Sequence, residues 1–173
     1  PRGEAASLEE ASWIWFAEGD PAVSAPPGVV RFRRHIALPE GASVTRATFT
    51  GTADNAFTLY VNGQEAGSSG AESVGFRALW PIDVAAFLRP GGNVIAVEAT
   101  NASDTPNPAG FIGRLDIELA GGRRVSCVTD GSWRAGRGAL AGDARAAGFD
   151  DGAWPASKVV APLGGGPWGR PET

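Results

Sequence analysis

TADNAFTLYVNG, residues 52–63, is the stretch that decides how the rest of the chain is read. Phe57, Leu59 and Val61 alternate with Thr58 and Tyr60, the period of two that marks a strand with one buried face. Asn62-Gly63 follows at once, a pair that tolerates the positive φ angles of a two-residue hairpin. Upstream, residues 52–55 read as a loop ending in Asp54-Asn55 where it enters the strand, held by the hairpin. The pair supplies hard oxygen donors of the kind Ca2+ prefers. In isolation an Asp-Asn pair is equally a turn, because both side chains can bond their own backbone.

Working outward, residues 12–16 (SWIWF), 29–38 and 44–50 carry strand patterns separated by Gly/Pro turns. Residues 64–66 give a weak return strand, followed by a Gly/Ser loop at 67–70 and a short strand at 75–79. Asp83 is expected to cap one or two helical turns over 83–88, stopped by Pro90-Gly91-Gly92. Residues 94–99 (VIAVEA) form the clearest strand. Ile95, Val97, Ala99 and Asn101 share its parity, so Asn101 continues the inward row beyond the core. A polar loop spans 101–110, and a strand at 110–119 turns inward Phe111, Leu115, Ile117 and Leu119. Gly121-Gly122 leads to a strand at 125–128. Regular structure is sparse after Asp130, apart from 159–161. About seven to nine short strands with almost no helix make this an all-β protein, an antiparallel β-sandwich. Residues 1–12 read as a linker remnant, 13–168 as a single module and 169–173 as a tail.

The chain has 173 residues, 43% of them hydrophobic, enough for a real core without cross-links. Its net charge of −4 leaves no electrostatic footprint for nucleic acid, and no apolar run approaches the ~18 residues of a membrane span. The one dense basic run, Arg31, Arg33 and Arg34, is expected on the wet face of its strand. Trp13, Trp15, Trp133 and Trp154 are assigned to the core, and Trp168 to a contact with a neighbouring domain. Cys127, the single cysteine, reads as a small buried hydrophobe. A start at Pro1 and the absence of Met suggest an excised piece of a longer protein.

Enzyme chemistry finds little support. Asp150-Asp151 and Asp116 with Glu118 are paired carboxylates by composition only. His35 is the single histidine, and no GxSxG or HExxH is present.

Several phrases together resemble a known family. TADNAFTLYVNG followed by DVAAFLRPGGNVIAVEATN is similar to the galactose-binding-domain-like β-sandwich, or jelly roll, of glycoside hydrolases. WIWF, RFRRHIALP, TDGSWRA, FDDGAWPASKV and the final PWG narrow the resemblance to the rhamnose-binding module of bacterial α-L-rhamnosidases. The resemblance implies a non-catalytic, carbohydrate-binding, lectin-like role: terminal L-rhamnose is held through Ca2+, and the module is attached to the catalytic domain of a secreted, extracellular hydrolase or lyase. Matched residue by residue, it implies Asp54, Asn55, Asn101 and the Pro106 carbonyl as metal ligands, with Trp80 as the sugar-contacting aromatic. Pro108 competes with Pro106. The residues themselves leave blander roles open, Asn101 as a strand end and Trp80 as a core or rim aromatic. A ligand-free accessory sandwich packed on a catalytic domain is the alternative, and galactose, fucose or an acidic sugar are alternative ligands.

Overall fold

The computed structural model describes residues 7–69, 75–140 and 142–172. Its strands, in chain order, are β1 (Ser12–Trp15), β2 (Gly28–Leu38), β3 (Val44–Asp54), β4 (Ala56–Val61), β5 (Gln64–Ser68), β6 (Trp80–Asp83), β7 (Gly91–Asn101), β8 (Gly110–Leu119), β9 (Arg124–Val128), β10 (Arg134–Arg137) and β11 (Lys158–Pro162). They form the expected sandwich. One sheet has the order β11-β1-β8-β3-β6, with β9 added on β8; the other has the order β10-β2-β7-β4-β5. Every ladder between these strands is antiparallel.

The alternating pattern places the core between the sheets. Phe111 is its hub, with the rings of Phe32 and Phe57 at 5.5 Å, Trp133 at 6.1 Å and Phe49 at 6.2 Å. Residues of the opposite parity build two smaller clusters on the outer faces. Trp13 and Ile112 gather Leu8, Ala11, Ala161 and Trp168 over the six-stranded sheet. Tyr60 and Ala96 gather Leu140 and Ala144 over the five-stranded one. The hairpin forms as read: Val61 pairs with Gln64 across Asn62 (φ 50°) and Gly63 (φ 87°).

Several expectations are corrected. Residues 52–54 are not a loop but the end of β3, buried and paired with β8 as far as Asp54–Gly110. The Asn62-Gly63 hairpin lies at the far end of β4 from Asp54-Asn55, so it does not hold that pair. The helix expected at 83–88 is a single 3-10 turn, Ala85–Phe87; Asp83 ends β6, and its Oδ1 accepts from the Ala85 amide at 3.0 Å. In place of a strand at 75–79, a 3-10 turn (Gly75–Arg77) precedes β6. Gly70 of the 67–70 loop and residues 1–6 of the expected linker lie outside the described residues. Leu8 and Ala11, in the same stretch, are buried. Cys127 is half-buried against the core, and burial pushes its thiol pKa up.

The arginine run departs most from its expected exposure. Arg33 is 0% exposed. Its parity does face away from the core, but residues 142–151 cover that face. Its Nε donates to Asp151 Oδ2 at 2.8 Å, and Nη1 and Nη2 donate to the carbonyls of Ala146 (3.0 Å) and Phe149 (3.1 Å). The Ala144 carbonyl is the third carbonyl partner, accepting from Nη1 as well. Arg34 shares the inward parity of Phe32 and Ile36 and reaches Cys127. Arg31 lies over the ring of Trp154 at 4.5 Å, which places that tryptophan on the outer face and not in the main core.

Candidate functional site

Chain topology brings three separated segments to one end of the sandwich. β3 ends at Asp54, opposite Gly110 at the start of β8, and the chain then steps into β4 of the other sheet. Asn55 sits at that step: its amide donates to the Thr100 carbonyl at 2.7 Å, and its Oδ1 accepts from the Ala102 amide at 2.8 Å. Both bonds clamp it against the end of β7, where Asn101 lies. The Asp54-Asn55 peptide bond is cis. Asp54, Asn55 and Asn101 therefore occupy one rim.

Asn101 has an unbalanced environment. It is 1% exposed, and its Nδ2 donates to the carbonyls of Ala25 (3.1 Å) and Pro26 (3.2 Å) in the loop before β2. Those bonds fix the amide orientation and turn Oδ1 away from that loop. Oδ1 is buried without a hydrogen-bond partner among the described residues. A buried acceptor left in that state costs about 1–3 kcal/mol.

Asp54 is 9% exposed, and its Oδ2 accepts from Trp168 Nε1 at 3.0 Å. Burial raises its pKa, and the indole bond opposes that shift without cancelling it. The second carboxylate oxygen has no hydrogen-bond donor among the described residues. Among these residues no group of three or more His, Cys, Asp or Glu side chains is placed to hold a metal. The expected set has one carboxylate and depends on amide and carbonyl oxygens.

The other expected residues are placed more loosely. Pro106 is exposed in the loop after β7, and Pro108 is half-buried. That loop is pinned at Asn107, which exchanges backbone bonds with Ala25 at 2.8 and 3.1 Å. Trp80 opens the edge strand β6 opposite Gly51, about three strand residues (~10 Å) back from Asp54. It is half-buried against the core, with a buried Nε1 that has no hydrogen-bond partner among the described residues.

The sequence places Trp168 at an external contact. It is instead 5% exposed and stacked on Trp13 at 4.5 Å, because Gly110 leaves room for both rings. The signal in the sequence was an aromatic enclosed by turns, GGGPWG. Asp151 is likewise no exposed acid. Burial favours its neutral form, yet the hydrogen bonds from Arg33 and His35 prevail and its pKa is lowered. Asp116 pairs with Arg114 at 3.0 Å and Glu118 with Arg124 at 3.3 Å. A shallow cleft of about 380 Å³, lined by His35, Arg89, Asn93 and Ala147 among others, lies at the hairpin end and includes none of the expected site residues.

No protein-family model matches the chain. An α-L-rhamnosidase from Streptomyces avermitilis is 42% identical over 172 residues, 98% of this chain and 16% of that protein. The crystal structure of S. avermitilis α-L-rhamnosidase complexed with L-rhamnose matches with a TM-score of 0.87 at 40% identity, over 98% of this chain and 16% of that one. A lectin from Pleurotus ostreatus in complex with GalNAc matches with a TM-score of 0.86 at 31% identity, over 98% of this chain and 48% of the lectin. A rhamnosidase from Bacillus sp. GL1 gives 0.74 at 26% identity, over 96% of this chain and 20% of that one. The kinship expected from the motifs is therefore present, and the chain spans 16% of the length of the curated relative it matches.

Proposed function

We propose that this β-sandwich, the counterpart of one segment of an α-L-rhamnosidase, is a non-catalytic carbohydrate-binding module that takes a terminal L-rhamnose through Ca2+. The observation that carries the reading is the Asn101 amide, held by two carbonyls, with its buried Oδ1 unpartnered among the described residues, on the strand end to which Asn55 is bonded. Hard oxygens in that setting suit Ca2+, which takes six to eight of them in irregular geometry. When bound, the ion would supply positions for vicinal sugar hydroxyls. Asp54 contributes the charge, Asn101 and Asn55 contribute amide oxygens, and the Pro106 carbonyl is the fourth proposed donor. Trp80, partly buried on the edge strand, is the proposed apolar surface for the sugar ring or its methyl group. The rhamnose and GalNAc complexes of the matching structures support a sugar as the ligand class.

A single monosaccharide in a shallow site implies a Kd between roughly 10 μM and 1 mM. The module would hold an attached secreted hydrolase or lyase near rhamnose-bearing polysaccharide. Isothermal titration with L-rhamnose, with and without EDTA, tests the reading; heat unchanged by chelation rejects the ion. Asp54→Ala should abolish binding while cooperative melting persists. Parallel titration with GalNAc separates rhamnose preference from a general affinity for sugars.

A further inference from the structure

We infer that Trp168 is a positioning residue for the Asp54 carboxylate, so that the last turns of the chain are part of the binding site. The inference rests on the reading of Asp54 as a cation ligand. Trp168 Nε1 donates to Oδ2 at 3.0 Å in a buried setting, leaving the other oxygen as the one available to a cation. The indole is itself immobilised: it is 5% exposed and stacks on Trp13 with an interplanar angle of 24°. Beneath it lies Gly110, the ladder partner of Asp54, where an added Cβ would fall 3.0 Å from the Trp168 ring. One glycine thus seats both the carboxylate and the indole that holds it.

The choice of donor matters chemically. An indole N–H is a neutral, donor-only group. It fixes the carboxylate without cancelling the charge that draws in the cation, as an arginine or lysine in the same place would. Partners that orient metal ligands in this way commonly control metal affinity by 10–100-fold.

Trp13 provides a matched control. It belongs to the same stack, but its Nε1 is buried with no hydrogen-bond partner among the described residues. Trp168→Phe and Trp13→Phe therefore make the same chemical change in the same cluster, and only the first removes a bond to Asp54. The test is calorimetric titration of the 173-residue chain with calcium chloride alone, with melting in EDTA alongside. Trp168→Phe should weaken calcium binding by about 10–100-fold, and Trp13→Phe should leave it within about twofold, at comparable melting temperatures. Equal affinities in the two variants would make Trp168 merely structural and overturn the inference. Should Trp168→Phe fail to melt cooperatively, the wild-type indole N–H resonances decide. The Trp168 signal should shift as calcium is added while the Trp13 signal stays; two stationary signals overturn the inference. Failure of the parent reading looks different: wild type and Asp54→Ala would then be alike in taking up no calcium, and both proposals would fall together.

Discussion

Replacing Arg33 by methionine should destabilise the protein more than any substitution at its exposed arginines. The methionine fills the aliphatic volume, so the loss is electrostatic. It removes the 2.8 Å bond to Asp151 and three bonds to the carbonyls of Ala144, Ala146 and Phe149. Asp151, 6% exposed, keeps His35 at 2.9 Å and Arg134 at 4.0 Å as its charged partners among the described residues. Breaking a buried pair by removing one partner costs about 3–5 kcal/mol. For a chain of this size that corresponds to a melting temperature lower by about 6–20 °C. Thermal and urea melts measure the loss. Amide hydrogen exchange locates it, with protection falling in residues 142–151 before it falls in β8. A loss under about 1 kcal/mol would refute the argument and make the buried arginine incidental. Adding Asp151→Leu to the same variant should restore part of the stability, because an apolar replacement of a whole buried pair is often neutral.

Lowered in the fold, the pKa of Asp151 contributes stability above the unfolded value of about 3.9, and that contribution is lost as pH falls through the folded value. The stability gap between wild type and Asp151→Asn should therefore close below about pH 4 in melts run as a pH series. Gly110→Ala, with a Cβ 2.9 Å from the Trp13 ring and 3.0 Å from the Trp168 ring, should cost about 1–3 kcal/mol and weaken rhamnose binding in calorimetry. Asn101→Ala should eliminate the rhamnose heat; a retained heat would remove Asn101 from the site. Calcium at a hundred times its Kd should stabilise the fold by about 2.7 kcal/mol, raising the melting temperature by about 5–11 °C over the EDTA sample.

The sandwich was legible because its strands alternate cleanly. Phe57, Leu59 and Val61, and likewise Ile95, Val97 and Ala99, announce their faces by period alone, and that parity carried Asn101 to the inward row. β10 was missed because RAGR contains no β-branched or aromatic residue to mark a strand. Arg33 was misjudged for a different reason. Parity tells which side of a sheet a residue faces, not what covers that side, and its cover lies 111–118 positions away in a segment without periodicity. The rim positions of Asp54, Asn55 and Asn101 could be read from motif and strand ends. The hold on Asp54 could not, because Trp168 is 114 residues away and reaches it only once the two sheets and the outer cluster exist.

That separation bears on the order of assembly. β1 pairs with β11 across nearly the whole chain, and contacts between distant residues form late, since the loops they close are long. The β4–β5 hairpin can pair early, because its partners are close in sequence. The Asp54 carboxylate stays unanchored until the final turns dock. On the proposed reading, calcium would then be a late seal on a finished sandwich and not a nucleus around which it condenses, and refolding rates should be indifferent to the ion even where unfolding rates are not.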